Sequence, residues 1–186
     1  MKITEETIDL RVRRTLKLLS MALIHCLKES TFTSITVNQI CEQAMVHRTT
    51  FYKHFTDKFS LLSFTLAQLM KGYLQMSAEE RLKKPLQSLF IMSDGSLIEK
   101  ILLNQKDDKM FYNFSSKYLK DLIKEDFLEL KKRGKNYTIP IELLAEFHSG
   151  VISSLILWWS HQDGEVSLKQ LDKYYYQMIN KKISLE

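Results

Sequence analysis

Glycine and proline are scarce, five and two in 186 residues, and their scarcity removes the punctuation that hairpins and strand-rich folds need. The helix formers Leu, Lys, Glu, Gln and Met dominate instead, so the chain is expected to be all-α. Cysteine is nearly absent too. Cys26 and Cys41 are too few for a disulfide framework and too far apart for a metal knuckle. Each falls on the apolar stripe of an expected helix, where a thiol acts as a small hydrophobe. No apolar run reaches the roughly 18 residues of a membrane span; the longest, Val151 to Trp159, carries two serines. The opening MKITEETIDL lacks the basic-then-apolar order of a secretory leader, so a cytoplasmic protein with no membrane partner is expected. Catalytic signatures are missing as well: no paired carboxylates at work, His-x-x-x-His, nucleophile elbow or Gly-rich phosphate loop. Asp107-Asp108 reads as helix-start capping. No enzyme activity, metal or cofactor is expected.

Hydrophobic content of 45% with 26% charged residues suits an ordinary folded protein. The net charge of +5 is unevenly spread. Residues 1–60 hold nine Lys/Arg against six Asp/Glu, a difference of +3, and the other 126 hold eighteen against sixteen, +2. The denser charge favours an anionic partner for the N-terminal third. A first helix is expected from Thr7 to Lys28, with Val12, Leu16, Leu19, Leu23 and Cys26/Leu27 as its stripe. Arg11, Arg13, Arg14 and Lys17 near its start oppose the helix dipole. They are either a solvated face or neighbours of phosphate.

The stretch Thr36 to Lys58 carries the chemistry. Thr36 with Gln39 has capping-box spacing, and Val37, Ile40, Cys41 and Ala44 make one apolar stripe of a short helix. After Met45 and Val46 a second short helix opens. Phe51 and Phe55 anchor it, and His47, Arg48, Thr49, Thr50, Tyr52, Lys53 and His54 face outward. Donors, cations and a phenol without an acid are what phosphates and base edges bind. The pattern is a helix-turn-helix with a DNA-reading second helix.

Thr56-Asp57 caps a fourth helix, with Leu61, Leu62, Phe64, Thr65, Leu69 and Tyr73 as its stripe and Gly72 near its end. Helices follow at Arg81 to Met92, Leu97 to Leu103 and Lys109 to Arg133, the last stopped by Gly134. A break is expected at Ser93-Asp94. Another helix opens at Pro140 and reaches His161 before Asp163-Gly164, and Ser167 caps a last helix to Ile183. The expected domains are residues 1–58, the DNA-binding head, and residues 59–186, a helical bundle. Val151 to Trp159 is apolar nearly all round, so it must be covered on more than one side. With Ser149, Gly150, Ser153, Ser154 and Leu157 on one helix and Leu171, Tyr175 and Met178 on the next, two chains would form a four-helix, two-fold interface. A monomeric bundle core is the plainer alternative.

Residues 9–62 resemble the DNA-binding head of TetR-family transcriptional regulators. The run Phe51, Tyr52, His54, Phe55 and Lys58, at its distance from Thr36, carries the resemblance, with TFTSITVNQIC before it and DKFSLL after. Phe147-His-Ser-Gly-Val and Trp158-Trp159 are similar to one subgroup's ligand and dimerisation domain. Two positions depart from the family pattern: Met45 stands where Gly is frequent, and Cys41 where Ala is usual. The resemblance implies Arg48 and Thr49 as base readers, with Thr50, Tyr52, Lys53 and His54 as phosphate contacts. It places Thr33, Thr36 and Lys58 on backbone phosphate, and puts His47 at the helix-capping position near DNA. Arg48 could equally meet a phosphate.

The function this implies is a homodimeric regulator, commonly a repressor and in some members an activator, on a pseudo-palindromic double-stranded operator. An effector in the bundle would tilt the fourth helix and change the spacing of the heads. Met110, Phe111, Phe114, Tyr118, Phe127, His148 and Trp158 could line a pocket for a small apolar or aromatic molecule, although stripes at this spacing usually form core. A helical protein-binding adaptor is the rival reading, and it would have no use for Arg48, Lys53 and Lys58 exposed together.

Overall fold

The computed structural model describes residues 10–91, 95–162 and 166–180. The expected start at Thr7, the break at Ser93-Asp94, the Asp163-Gly164 turn and the end at Ile183 lie outside these. Every regular element among the described residues is an α-helix. The chain divides into two compact units, Met1–Gln68 and Leu69–Glu186.

The first unit holds α1 (Leu10–Glu29), α2 (Val37–Ala44), α3 (Arg48–His54) and α4 (Lys58–Leu69) up to Gln68. Leu16, Leu19, Leu23 and Leu27 of α1 are buried together with Phe32, Ile35, Ile40, Phe51, Phe55, Leu61 and Leu62. Heptad-like spacing on each helix thus becomes one core. Val12, expected in the stripe, is only half-buried. The unit ends ten residues later than the expected boundary at 58, because the first turns of α4 belong to the head. Phe59 lies edge-on to Phe32 at 5.2 Å, and Phe64 meets Phe55 at 5.6 Å. Asp57 opens α4: its carboxylate accepts the Ser60 N–H at 2.7 Å, while the Asp57 N–H donates to Ser60 Oγ at 3.2 Å.

The second unit contains α5 (Lys71–Leu74), α6 (Ala78–Lys83), α7 (Pro85–Ile91), α8 (Gly95–Asn104), α9 (Lys109–Lys132), α10 (Ile141–Trp159) and α11 (Leu168–Ile179). Pro85 splits the single helix expected from Arg81 to Met92, since proline is welcome in a first turn and not beyond it. Three local caps follow the sequence signals. Ser77 with Glu80 forms a capping box at α6, Asp108 accepts the Met110 and Phe111 N–H groups at α9, and Ser167 caps α11. Gly134 takes φ +92° beyond α9, where the Lys135 N–H returns to Leu130 O at 3.0 Å and the Gly134 N–H to Lys131 O at 3.0 Å. That pair of bonds is a Schellman stop.

Two buried polar arrangements come from residues far apart in sequence. Arg81 of α6 donates through Nε and Nη2 to Asp126 of α9, and through Nη1 to the carbonyls of Leu74 and Met76. The Tyr73 ring lies 5.7 Å from its guanidinium. Asp172 of α11 accepts the Leu86 and Gln87 N–H groups, each at 2.9 Å, and so caps α7 across 86 residues. The core between them is built on Leu86, Phe90, Phe127, Ile152, Leu155, Trp159, Leu171 and Tyr175.

Helix α10 is apolar over a greater length than its densest run suggests. An 18-residue window of it has mean hydropathy 1.3, and 33% of that window is buried. By length and composition it could cross a bilayer. In this fold it packs on α9, and its Glu142 and Glu146 pair with Lys124 at 3.1 Å and Lys120 at 2.9 Å.

Candidate nucleic-acid interface

Helix α2 begins as its sequence requires. The Gln39 N–H donates to Thr36 Oγ1 at 3.2 Å, and the Thr36 N–H donates to Gln39 Oε1 at 2.8 Å, closing the capping box. The helix ends at Met45, whose φ of 52° and ψ of 41° are left-handed. The Met45 N–H reaches Glu42 O at 3.1 Å and the Val46 N–H reaches Cys41 O at 3.0 Å, again the Schellman pattern. A methionine therefore occupies the conformation that favours glycine. Its side chain is 95% exposed, so no packing contact dictates it.

The turn delivers α3 with its reading face outward. Phe51 has no exposed surface and Phe55 is buried, their rings 5.7 Å apart. Anchored by that pair, the helix exposes Arg48, Thr49, Tyr52 and Lys53, while Thr50 and His54 are half-buried. Tyr52 is 50% exposed and rests edge-on to Phe51 at 5.3 Å. The Arg48 guanidinium stands 5.9 Å from the Tyr52 ring, a cation–π approach that limits its swing before DNA arrives. His47 holds the capping position without making a side-chain cap, and its Nδ1 lies 3.5 Å from Thr49 Oγ1. No acid lies on α3. Thr33 and Thr36 are exposed on the neighbouring loop. Beside the turn a concavity of about 440 Å³ opens between Asn38, Cys41, Glu42, Met45, Val46, His47 and Arg48.

The Lys58 ammonium donates to the carbonyls of Phe32 at 2.7 Å, Thr33 at 3.1 Å and Ile35 at 2.8 Å. It also lies 4.6 Å from the Phe32 ring centre. A lysine offers three donors, and the loop takes all three.

The residues expected to line a pocket differ in their exposure and contacts. Phe127 and His148 meet at 5.2 Å, and His148 Nδ1 shares a hydrogen bond with the Tyr175 hydroxyl. Phe111 is buried, whereas Met110 is 39% and Trp158 43% exposed. Phe114 and Tyr118 are half-buried. Burial raises the Tyr118 and Tyr175 phenols and lowers the His148 imidazole, since desolvation disfavours each charged form.

The expected dimer seam is corrected in part. Leu171 and Tyr175 are wholly buried in their own unit, and Ser149 and Ser153 face inward with them. Gly150, Ser154 and Met178 are exposed, and Leu157 is half-buried. The outward stripe of α10 is Leu143, Phe147, Gly150, Ser154 and Trp158, of which Leu143, Phe147 and Trp158 are not among the residues expected in the seam. Their spacing of i, i+4, i+7, i+11 and i+15 was the available signal.

A helix-turn-helix head carrying an exposed acid-free helix, followed by a separate helical unit, defines the class of DNA-binding transcription regulators. The family model described as a transcriptional regulator C-terminal region, of the TetR type, matches residues 86–181, just over half of the chain. The chain therefore belongs to the TetR family of transcriptional regulators, which are not enzymes. A TetR transcriptional regulator from Streptococcus agalactiae 2603V is 26% identical, with 91% of this chain and 95% of that one covered and a TM-score of 0.61. The fold is shared with Thermus thermophilus FadR, a TetR-family repressor solved with lauroyl-CoA, at 16% identity, with coverage of 92% and 96% and a TM-score of 0.60. The HTH-type transcriptional regulator YxbF of Bacillus subtilis (strain 168) is 19% identical over 167 residues, 87% of this chain. The chain spans 43% of that relative's length.

Proposed function

We propose that the protein is a homodimeric repressor acting in the cytoplasm on a pseudo-palindromic operator, with one α3 in each of two successive major grooves. The observation that carries this reading is the reading face of α3. Arg48, Thr49, Tyr52 and Lys53 are exposed together, α3 itself carries no acid, and Phe51 fixes the helix from behind. Arg48 matches the O6 and N7 pair of guanine, and Thr49 a thymine methyl. Thr33, Thr36, His47, Thr50, Tyr52, Lys53 and His54 would set register on the backbone.

Selection of bound duplexes from a random pool tests the reading. A repeated half-site with two-fold symmetry, its centres one helical turn or a multiple apart, is the expected product. Recovery of no preferred sequence would overturn it. A reporter driven from the recovered site then distinguishes repression from activation.

The outward stripe of α10, with exposed Tyr176 and Met178 on α11, supports dimerisation through this face. Gly150 and Ser154 leave room for a partner helix at its middle, and at Gly150 an added methyl would meet nothing within 4 Å. For the effector, the lauroyl-CoA held by the Thermus protein supports a small molecule with a large apolar part. Such a ligand lowers operator affinity only by binding the DNA-incompatible conformation more tightly, by about 1–3 kcal/mol in typical cases. Native mass spectrometry of the purified protein reads both claims: a dimer, and any ligand carried with it.

A further inference from the structure

We infer that Glu42 of α2 is a specificity-determining residue at the operator, its carboxylate accepting from the N4 amine of a cytosine beside the guanine that Arg48 takes. The inference rests on the operator-binding reading above and names a base for it.

Glu42 puts an acid beside a helix meant for an anion. It is exposed on the last turn of α2 and lines the concavity of about 440 Å³ together with His47 and Arg48. The turn fixes this arrangement, because the Met45 N–H is bonded to the Glu42 carbonyl at 3.1 Å and the Val46 N–H to the Cys41 carbonyl at 3.0 Å. Burial raises the Cys41 thiol above its ordinary value; the Arg48 charge opposes that rise and the Glu42 charge adds to it. Both charges therefore reach one side chain. Yet among the described residues neither is spent in an ion pair. The guanidinium stands 5.9 Å from the Tyr52 ring, and the carboxylate receives the Asn38 side-chain N–H on Oε1 at 2.9 Å. Two opposite charges stay open on the two sides of one concavity.

An ionised carboxylate only accepts hydrogen bonds, and phosphates repel it. In the major groove it can meet an amine alone, N4 of cytosine or N6 of adenine. Adenine sets its N7 acceptor next to that amine, which suits the mixed donor and acceptor of Asn or Gln. Cytosine is paired instead with the O6 and N7 of guanine, which suit a cation. A carboxylate beside a guanidinium therefore matches a cytosine beside a guanine, in one base pair or in adjacent pairs. Asn38 lies one turn before Glu42 on the same face of α2. By holding Oε1 it orients the carboxylate and leaves Oε2 for the base. Thymine in the same place would turn its O4 toward the carboxylate, acceptor against acceptor. On sequences without the amine the carboxylate only repels, so it sharpens selection in both directions.

Affinity measured base by base, at one salt concentration, tests this. The probes are the duplex recovered by selection and variants in which each cytosine of the half-site is replaced in turn. One replacement is thymine, with adenine opposite; the other is an analogue with hydrogen in place of the amine, which keeps the guanine opposite. The unchanged protein is expected to bind about tenfold more weakly when one particular cytosine loses its amine, the loss of one hydrogen bond to a charged group. Glu42→Ala is expected to bind the cytosine and analogue duplexes equally. Glu42→Gln still accepts from the amine through its oxygen and can donate to thymine O4 through its nitrogen. It is therefore expected to tolerate thymine at that one position. Arg48→Ala should flatten the preference at the same pair or the next one. Base preferences left intact in both Glu42 variants, whatever their overall affinity, overturn the inference; the carboxylate is then a repelling charge and nothing more. A sensitive cytosine more than one pair from the Arg48 position overturns it too. If the unchanged protein prefers no sequence, the operator reading falls and the inference with it. A sequence preference that the Glu42 variants do not alter sinks the inference alone.

Discussion

Arg48 and Lys53 are both exposed on one short helix, yet their surroundings assign them different work. The Arg48 guanidinium is steadied 5.9 Å from the Tyr52 ring, which suits a fork that must meet a base edge in one orientation. Lys53 has a flexible stem and a point charge, suited to a phosphate. Arg48→Ala is expected to flatten the sequence preference at one position of each half-site, worth about 1–3 kcal/mol. Lys53→Ala should weaken binding to all sequences alike and cut the salt slope by about 1. Competition binding against single-base operator variants, repeated over a salt series, measures both. His148 carries a pH prediction. Burial holds its imidazole below the ordinary value of 6.5, so on acidification the unfolded chain takes up this proton before the folded one. Its contribution to stability is complete above the ordinary value and declines as pH falls through it. His148→Gln can keep a polar partner for the Tyr175 hydroxyl and should lessen that decline, as thermal melts on either side of pH 6.5 would reveal.

At the scale of elements, a signal is legible in the sequence where the chemistry is local. The capping box of α2, the Asp108 and Ser167 caps and the Gly134 stop all join residues a few positions apart, so spacing alone exposes them. The left-handed Met45 is different: only the resemblance to the family, in which Gly is frequent there, pointed to that turn. Met45→Gly should raise the stability of the head by about 1 kcal/mol, visible as a higher melting temperature. The long-range devices were invisible. Nothing near Arg81 in the sequence announces Asp126, and nothing near Leu86 announces Asp172. Arg81→Met would strand a carboxylate that burial already pushes upward, at an expected cost of about 3–5 kcal/mol. Replacing both members, Arg81→Met with Asp126→Leu, should restore much of the loss in chemical denaturation. Stability recovered in the double variant shows that the penalty lay in the unpaired charge. A double variant no better than the single would contradict that account.

For the whole molecule, the decisive question was which apolar surface stays within one chain and which is left for another. Trp158 and Trp159 are adjacent, yet one is 43% exposed and the other 5%. On α11, Leu171 and Tyr175 complete the core while Tyr176 and Met178 remain outside. Helical spacing groups residues by face but does not say what each face meets, which is why half of the expected dimer seam turned out to be core. The proposed dimer then depends on the outer stripe alone. Phe147→Glu places a charge on a residue 50% exposed in the chain. Helicity should be retained, while sedimentation equilibrium shows a weaker dimer and operator binding loses its two-fold cooperativity. An unchanged dimer would move the interface elsewhere.

The sequence by itself determined the all-α class, the helix-turn-helix, its caps and the acid-free reading helix, because each rests on contacts within about two helical turns of chain. Tertiary structure decided the rest: where the head ends, which side of α10 is core, and what Lys58 binds. Those outcomes depend on groups brought together across tens of residues, where a side chain's role is set by the neighbour it meets rather than by its own chemistry.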